Sequence, residues 1–102
     1  MMPLDQVRAL LEGAGFPVAY RFFRDPPPPP YLCYLAAYTQ NFAADGRVWY
    51  PVDHLQVELY TRRKDPQAES RVEDALSGFF WDKSEAFLDG EQLFQVIYEI
   101  EV

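Results

Sequence analysis

Five consecutive prolines, Pro26 to Pro30, place the strongest constraint on how this chain can fold. Proline donates no backbone hydrogen bond and its ring fixes φ, so the run can join neither a helix nor a sheet ladder. It favours an extended, stiff polyproline II spacer. The flanking segments, VAYRFF at 18–23 and YLCYLAAY at 31–38, are rich in β-branched and aromatic residues and predict strands. We therefore expect the prolines to form a rigid connection between two strands.

Two segments have the apolar spacing of an amphipathic helix. The first covers residues 4–13, where one helical face carries Leu4, Val7, Leu10 and Leu11. The second covers residues 65–79 and opens with Asp65 as N-cap and Pro66 as first helical residue. Its apolar stripe consists of Ala68, Val72, Ala75, Leu76 and Phe79.

Two Asp-Gly dipeptides predict turns between strands. Asp45-Gly46 closes a turn region at 39–46 and leads into 47–50 and 54–61, with a bend or bulge expected at Pro51. Asp89-Gly90 separates 80–88 from 92–102. In the last segment apolar residues alternate with polar ones, which is typical of a strand with one buried face.

The resulting order is α-β-β-β-α-β-β, and 102 residues suit one domain. We expect a single α+β domain over residues 1–102, with an antiparallel sheet of about four to five strands and two helices packed on one face. One core is expected to contain the apolar positions Leu10, Leu35, Leu59, Leu76, Phe94 and Tyr98.

The formal net charge of −7 is concentrated in the second half of the chain. Residues 52–102 hold five basic and twelve acidic residues, whereas residues 1–51 are neutral. This balance argues against a sequence-independent nucleic-acid binder and against anionic membrane surfaces. The first fifteen residues contain Asp5 and Glu12 and no basic or long apolar region, so we expect no secretory signal and a cytoplasmic protein.

Catalytic chemistry has few candidate residues, because the chain has one histidine, His54, and one cysteine, Cys33. Asp53 precedes His54 on a predicted strand, where adjacent side chains point to opposite faces, so the two do not form an acid–base pair. Cys33 lies in an uncharged apolar strand and is expected in the core. No glycine-rich phosphate loop is present. The sequence therefore predicts no enzyme and no cofactor.

Residues that could contact a protein partner are easier to identify than catalytic residues. Arg62, Arg63 and Lys64 form the only basic cluster, on a loop between a strand and a helix. Such a cluster is usually solvated, and contact with an acidic neighbour, which a second copy would supply, is the alternative. The proline segment could instead dock in an aromatic groove of a partner, as proline-rich ligands do. The further interaction candidates are Pro28 and Tyr31 of this segment and Phe42.

Four stretches together resemble a family of small proteins from long-tailed phages and prophages of Gram-positive bacteria. They are GFPVAYRFF after the first helix, PPYLCYLAAYTQNFAADGRVWY, VELYTRRKDPQAESRVEDAL and EQLFQVIYEIEV. The resemblance covers nearly all of residues 4–102 and lies in element order, turn chemistry and aromatic placement. It implies a tail-terminator or tail-completion protein that forms a homo-oligomeric ring on the tail tube. The implied partners are itself, the major tail protein and head-completion proteins, and the implied locations are the host cytoplasm during assembly and the virion.

Two other classes remain open on the residues alone. The first is a small cytoplasmic binding module that acts through a sheet edge or the segment Pro26–Pro30. The second is an enzyme that uses clustered acids, such as Glu99 and Glu101 on one strand face, with a divalent metal. An acidic surface in so acidic a protein is more simply a solvated face.

Overall fold

The computed structural model describes the backbone of residues 2–44 and 47–102, and their side chains except those of residues 40–52. Seven elements follow one another in the predicted order. They are α1 (Leu4–Glu12), β1 (Val18–Tyr20), β2 (Tyr31–Ala44), β3 (Arg47–Thr61), α2 (Pro66–Ala75), β4 (Trp81–Leu88) and β5 (Leu93–Glu101). The predicted α+β class and element order are confirmed.

The five strands form one sheet in the order β1-β2-β3-β5-β4. Pairing is antiparallel except between β1 and β2, which run parallel, with Val18 opposite Leu32 and Tyr20 opposite Tyr34. The sheet is thus mostly antiparallel, as expected, with one parallel pair. Because parallel strands need a crossover, residues 21–30 carry the chain back from the end of β1 to the start of β2. The proline run forms the second half of this crossover.

Helix α2 is held by local signals that the sequence contains, whereas α1 follows Pro3 without a side-chain cap. The Asp65 side chain accepts a hydrogen bond from the Ala68 amide at 3.1 Å, and Pro66 opens α2. This helix ends at Ala75 and not at the predicted residue 79, because Leu76 leaves helical geometry and Ser77 and Gly78 favour a turn. Over the described ranges 2–44 and 47–102, no helix is long and apolar enough to cross a membrane.

Both helices pack on the same face of the sheet and enclose the core. Of the predicted core residues, three are fully buried and two lie partly buried against the core; these are Leu59, Leu76 and Tyr98, and Leu10 and Phe94. The prediction for Leu35 is wrong, because Leu32 and Tyr34 face the helices and strand alternation turns Leu35 to the other face. The clean alternation of β5 is confirmed, with Val96, Tyr98 and Ile100 buried.

The hairpin of β2 and β3 extends beyond the rest of the sheet. Residues 39–44, predicted as part of a turn, continue β2, and Pro51 lies opposite Asn41 within β3. The register shifts fall at Ala37 of β2 and Trp49 of β3, and not at Pro51, where a bend or bulge was expected. Pairing of β3 with β5 ends at His54, and one further backbone hydrogen bond runs from the Val102 amide to the Asp53 carbonyl at 3.0 Å. Among the described residues, 40–52 pair only with one another. We call residues 39–53 the hairpin arm. The predicted Asp45-Gly46 turn lies outside the described residues.

Candidate functional site

The face of the sheet that points away from the helices carries a mixture of apolar, polar and acidic side chains. We call it the open face. Its residues alternate with the core residues along each strand. In cross-strand rows from β2 to β4 they are Tyr31, Tyr60, Gln95 and Ala86; Cys33, Glu58, Ile97 and Ser84; and Leu35, Gln56, Glu99 and Asp82.

One end of the open face is partly covered by the crossover 21–30, which leaves a cavity of about 610 Å³. The Phe23 ring meets the Tyr31 ring edge-on at 5.4 Å, and Tyr31 stacks on Tyr60 at 5.1 Å. Phe22, Pro27 and Leu93 also line the cavity, and the exposed Arg21 and Arg62 lie at its margin. We call this space the aromatic cavity. Its volume is in the range of about 300–1,000 Å³ that is typical of ligand pockets.

A carboxylate lies in the middle of the open face although it is only 8% exposed. Glu58 accepts hydrogen bonds from Gln56 Nε2 at 2.9 Å, Tyr60 OH at 3.1 Å and Gln95 Nε2 at 3.3 Å. Three neutral donors therefore compensate for its burial. Burial and the nearby Glu58 charge raise the pKa of Tyr60 above its ordinary range, so the phenol stays a donor to this carboxylate.

Cys33 lies beside Glu58 in the same cross-strand row and also lines the aromatic cavity. The side chain is 2% exposed. Burial, together with the Glu58 charge, raises the pKa of the thiol to about 11. Because the thiolate is the reactive form, this environment suits a structural cysteine and not a nucleophile.

The opposite end of the open face is acidic. Tyr38 and His54 stack there at 4.1 Å with an interplanar angle of 14°, and His54 Nε2 lies 4.0 Å from Glu101 Oε1. Asp82 and Glu99 face each other across β4 and β5 nearby. These residues line a second cavity of about 440 Å³. We call Asp82, Glu99 and Glu101 the acidic end.

Phe80 stands beside this acidic end and is 100% exposed. It is held by the turn between α2 and β4, next to Phe79, which packs against the core, and Trp81, which meets Tyr98 edge-on at 5.4 Å. The two neighbours anchor the backbone, so Phe80 projects from a supported turn. The Phe80 ring is therefore available for contact with another molecule.

The three residues of the predicted basic cluster, Arg62, Arg63 and Lys64, lie in different environments. Lys64 donates hydrogen bonds to Glu69 at 2.9 Å and Glu85 at 2.8 Å within its own chain. Arg62 and Arg63 are exposed, and Arg62 also borders the aromatic cavity. The structure therefore divides the predicted cluster into an intramolecular lysine and two surface arginines.

A charge network beneath α2 connects this helix to β4 and β5. Glu69, which is 3% exposed, lies between Lys64 and Lys83. Lys83 also donates to Glu73 at 2.9 Å, and Tyr98 OH donates to the same Glu73 oxygen at 2.7 Å. Burial acts to raise the pKa of Glu73, but the hydrogen bonds from Lys83 and Tyr98 outweigh it and hold this pKa below its ordinary value. The network is structural, because it fastens the helix layer to the sheet.

This network predicts a specific pH dependence. Since the pKa of Glu73 is lower in the folded chain, its contribution to stability is present above the ordinary value of 4.5 and is lost as pH falls through the folded pKa. Tyr98→Phe removes one hydrogen bond to a charged group and should cost about 1.5–3 kcal/mol near neutral pH. The difference in unfolding free energy between wild type and variant, measured by urea titration, should shrink as pH falls below 4.5. A difference that stays constant with pH would contradict this assignment.

The predicted interaction residues are not brought together in one place. Pro28 is exposed on the crossover, whereas Tyr31 is only 7% exposed and forms an inner wall of the aromatic cavity. The side chain of Phe42 lies outside the described residues. Sequence reasoning missed the aromatic cavity and Phe80. The FFW run at 79–81 was the available signal, but it does not show which of its rings points outward.

Asp53 and His54 are adjacent in the chain but have separate contacts. Asp53 accepts a hydrogen bond from Thr39 at 2.7 Å, while His54 stacks on Tyr38, so the two neighbours contact different residues. In the described part of the chain no group of three or more His, Cys, Asp or Glu residues is placed to hold a metal ion. Comparison with models of known protein families and with curated proteins finds no match to this chain.

Proposed function

We propose that the protein is a structural assembly protein of the tail-terminator or tail-completion type. In this proposal it forms a ring at the head-proximal end of a phage tail tube and aids head–tail joining. The hairpin arm, residues 39–53, is the observation that carries the proposal. Two observations support the proposal. The arm projects beyond the rest of the sheet, and the two ends of the open face carry different side chains.

The arm is a two-stranded ribbon with no third strand among the described residues. It runs from the Thr39–Asp53 pair to the Ala44–Arg47 pair, which corresponds to a projection of about 20 Å. The molecule is correspondingly long, with principal extents of 49 × 27 × 25 Å. An isolated two-stranded hairpin is at best marginally stable in water and presents unpaired backbone groups on both edges. Packing against another chain would satisfy both needs.

The open face has the asymmetry that a ring requires. Arg21 and Arg62 lie at one end of the open face, and the acidic end lies at the other. Unlike surfaces on one molecule favour head-to-tail contacts, and these close into a ring when the rotation between copies allows it. The charge of −7 also suits a ring through which DNA passes, because like charges do not hold it.

The proposal assigns no catalysis and no cofactor to the chain. Its partners are further copies of itself, the major tail protein and head-completion proteins, and it acts in the host cytoplasm during assembly and in the virion. The buried thiol of Cys33 and the stacked ring of His54 then serve to shape the open face. Binding surfaces, and not a reaction centre, carry the activity.

A binding module that acts through a sheet edge is the second candidate. It is favoured by β4, which forms one edge of the sheet and keeps residues 82–87 exposed. Strand addition at such an edge would supply main-chain hydrogen bonds to an extended peptide. The two candidates differ in their partner, since a module binds an unrelated protein and a ring binds copies of this chain.

Deletion of the gene from the phage or prophage genome that encodes it tests the proposal. We expect infectious particles to be lost and to return when the wild-type gene is supplied in trans, because heads cannot join tails that lack a terminal ring. The control is deletion and complementation of a gene for host lysis, which leaves particle assembly intact. Infectious particles at wild-type yield from the deletion strain would contradict the proposal.

A further inference from the structure

Two features of the molecule, one at each end of the open face, have no counterpart among the side chains that the structure describes. Phe80 is fully exposed beside the acidic end. The aromatic cavity is open and walled by the rings of Phe23, Tyr31 and Tyr60. Phe80 is an apolar projection, and the aromatic cavity is an apolar recess.

The two cannot meet within one chain. Strand β5 connects the two ends, because Leu93 lines the aromatic cavity and Ile100 lines the cavity beside Phe80. Seven residues of antiparallel strand separate them, which corresponds to about 24 Å. A second copy can bring its Phe80 to this cavity without any change in the fold.

The surroundings of the two features differ in the sign of their charge. Asp82, Glu99 and Glu101 lie near Phe80. Two arginines and one glutamate, Arg21, Arg62 and Glu91, line the aromatic cavity, so basic residues outnumber acidic ones there. Docking would therefore place acids of one copy opposite arginines of the next. Exposed pairs of this kind contribute about 0.2–1 kcal/mol each, so they set orientation while the buried ring supplies most of the affinity.

We propose that Phe80 of one copy inserts into the aromatic cavity of a second copy of this chain. The contact is heterologous, because the two copies contribute different surfaces. The copy that inserts its Phe80 keeps a free cavity, and the copy that receives it keeps a free Phe80 for the next. It gives the ring of the proposed function, on which this inference rests, a specific residue contact. Arg62 becomes a contact residue in this arrangement, in keeping with the expected contact between the basic cluster and an acidic neighbour from a second copy.

Titration of one full-length variant into another tests the contact without requiring a ring. The ¹⁵N-labelled Phe80→Ala chain keeps the cavity, and the unlabelled Arg62→Glu chain keeps Phe80, so the titration should shift the amide signals of Phe23, Tyr31 and Leu93. An unlabelled chain that carries both substitutions should bind about ten- to a hundredfold more weakly, because the Phe80 ring is the group that becomes buried. An unlabelled Arg62→Glu chain that also carries Phe87→Ala is the matched control and should bind as the Arg62→Glu chain does. Equal binding of the doubly substituted chain, no binding of the Arg62→Glu chain, or shifts confined to another surface would overturn the inference.

Mixing two variants of the full chain tests the head-to-tail geometry. The Phe80→Ala chain keeps the cavity but lacks the inserting ring, and the Arg62→Glu chain keeps Phe80 but has an altered cavity margin. Each variant alone should therefore self-associate more weakly than wild type in sedimentation velocity. Their mixture should form heterodimers, because one intact contact remains. Phe87→Ala, at another exposed ring, should leave self-association unchanged. A mixture that stays as monomeric as its components would overturn the inference.

The contact and the proposed function can fail separately. Defective tails after gene deletion, together with equal binding of chains with and without Phe80, would remove the contact and leave the assembly role. Binding that depends on Phe80, together with normal tails after gene deletion, would remove the assembly role and leave the contact.

Discussion

Replacement of Leu59 by alanine is expected to lower the free energy of unfolding by about 2–5 kcal/mol. Leu59 is 0% exposed and lies near the C-terminal end of β3, between Leu32 of β2 and Val96 of β5. Truncation leaves a cavity that the rigid sheet on both sides cannot close. A domain of this size is stable by only about 5–15 kcal/mol, so the variant approaches unfolding at moderate temperature. Urea titration followed by circular dichroism measures the change.

Leu4→Ala is the matched control, since it removes the same atoms from a side chain that is 42% exposed. We expect this variant to lie within about 0.5 kcal/mol of wild type. A loss below about 1 kcal/mol for Leu59→Ala would place this residue outside the core and contradict the assignment of faces along β3.

Shortening the hairpin arm is expected to abolish tail completion without unfolding the chain. In the variant, residues 40–52 are replaced by Asn-Gly, which joins Thr39 to Asp53 by a two-residue turn that suits paired antiparallel strands. The core strands and both helices keep their partners, because the replaced residues pair only with one another in the described part of the chain and Asp53, which accepts a hydrogen bond from Val102, is retained. Complementation of the deletion strain, scored as infectious particles, measures the effect.

Thermal unfolding of the shortened chain provides the control for this experiment. A midpoint close to that of wild type shows that the sheet and its helices remain intact, so that any loss of particles is due to the missing arm. Wild-type yields of infectious particles from the shortened variant would remove the arm from the assembly mechanism and with it the main support for the proposed role.

Local sequence signals predicted most of the fold. Apolar spacing located both helices, and Asp65 with Pro66 marked the start of α2 because capping depends on adjacent residues. Alternation predicted the faces of β5 for the same local reason. The wholly apolar run around Leu35 shows no alternation, so sequence alone could not assign its face, and the assignment failed there.

The candidate surfaces depended on long-range geometry that local patterns do not contain. The aromatic cavity exists because β1 pairs with β2 in parallel, which makes the proline segment cross the open face. The sequence predicted that segment to be a stiff connection, but it did not predict the cavity between the segment and the open face. Lys64 likewise belonged to a basic cluster in sequence, whereas the fold places it between Glu69 and Glu85 of its own chain.

The length distribution of tails in electron micrographs of the gene-deletion strain tests the central claim most directly. A protein that caps the tail tube stops its growth and prepares it for the head. The account predicts tails of widely varying length without attached heads, and a return to one length on attached heads when the wild-type gene is supplied. A single sharp length on tails joined to heads in the deletion strain would contradict it.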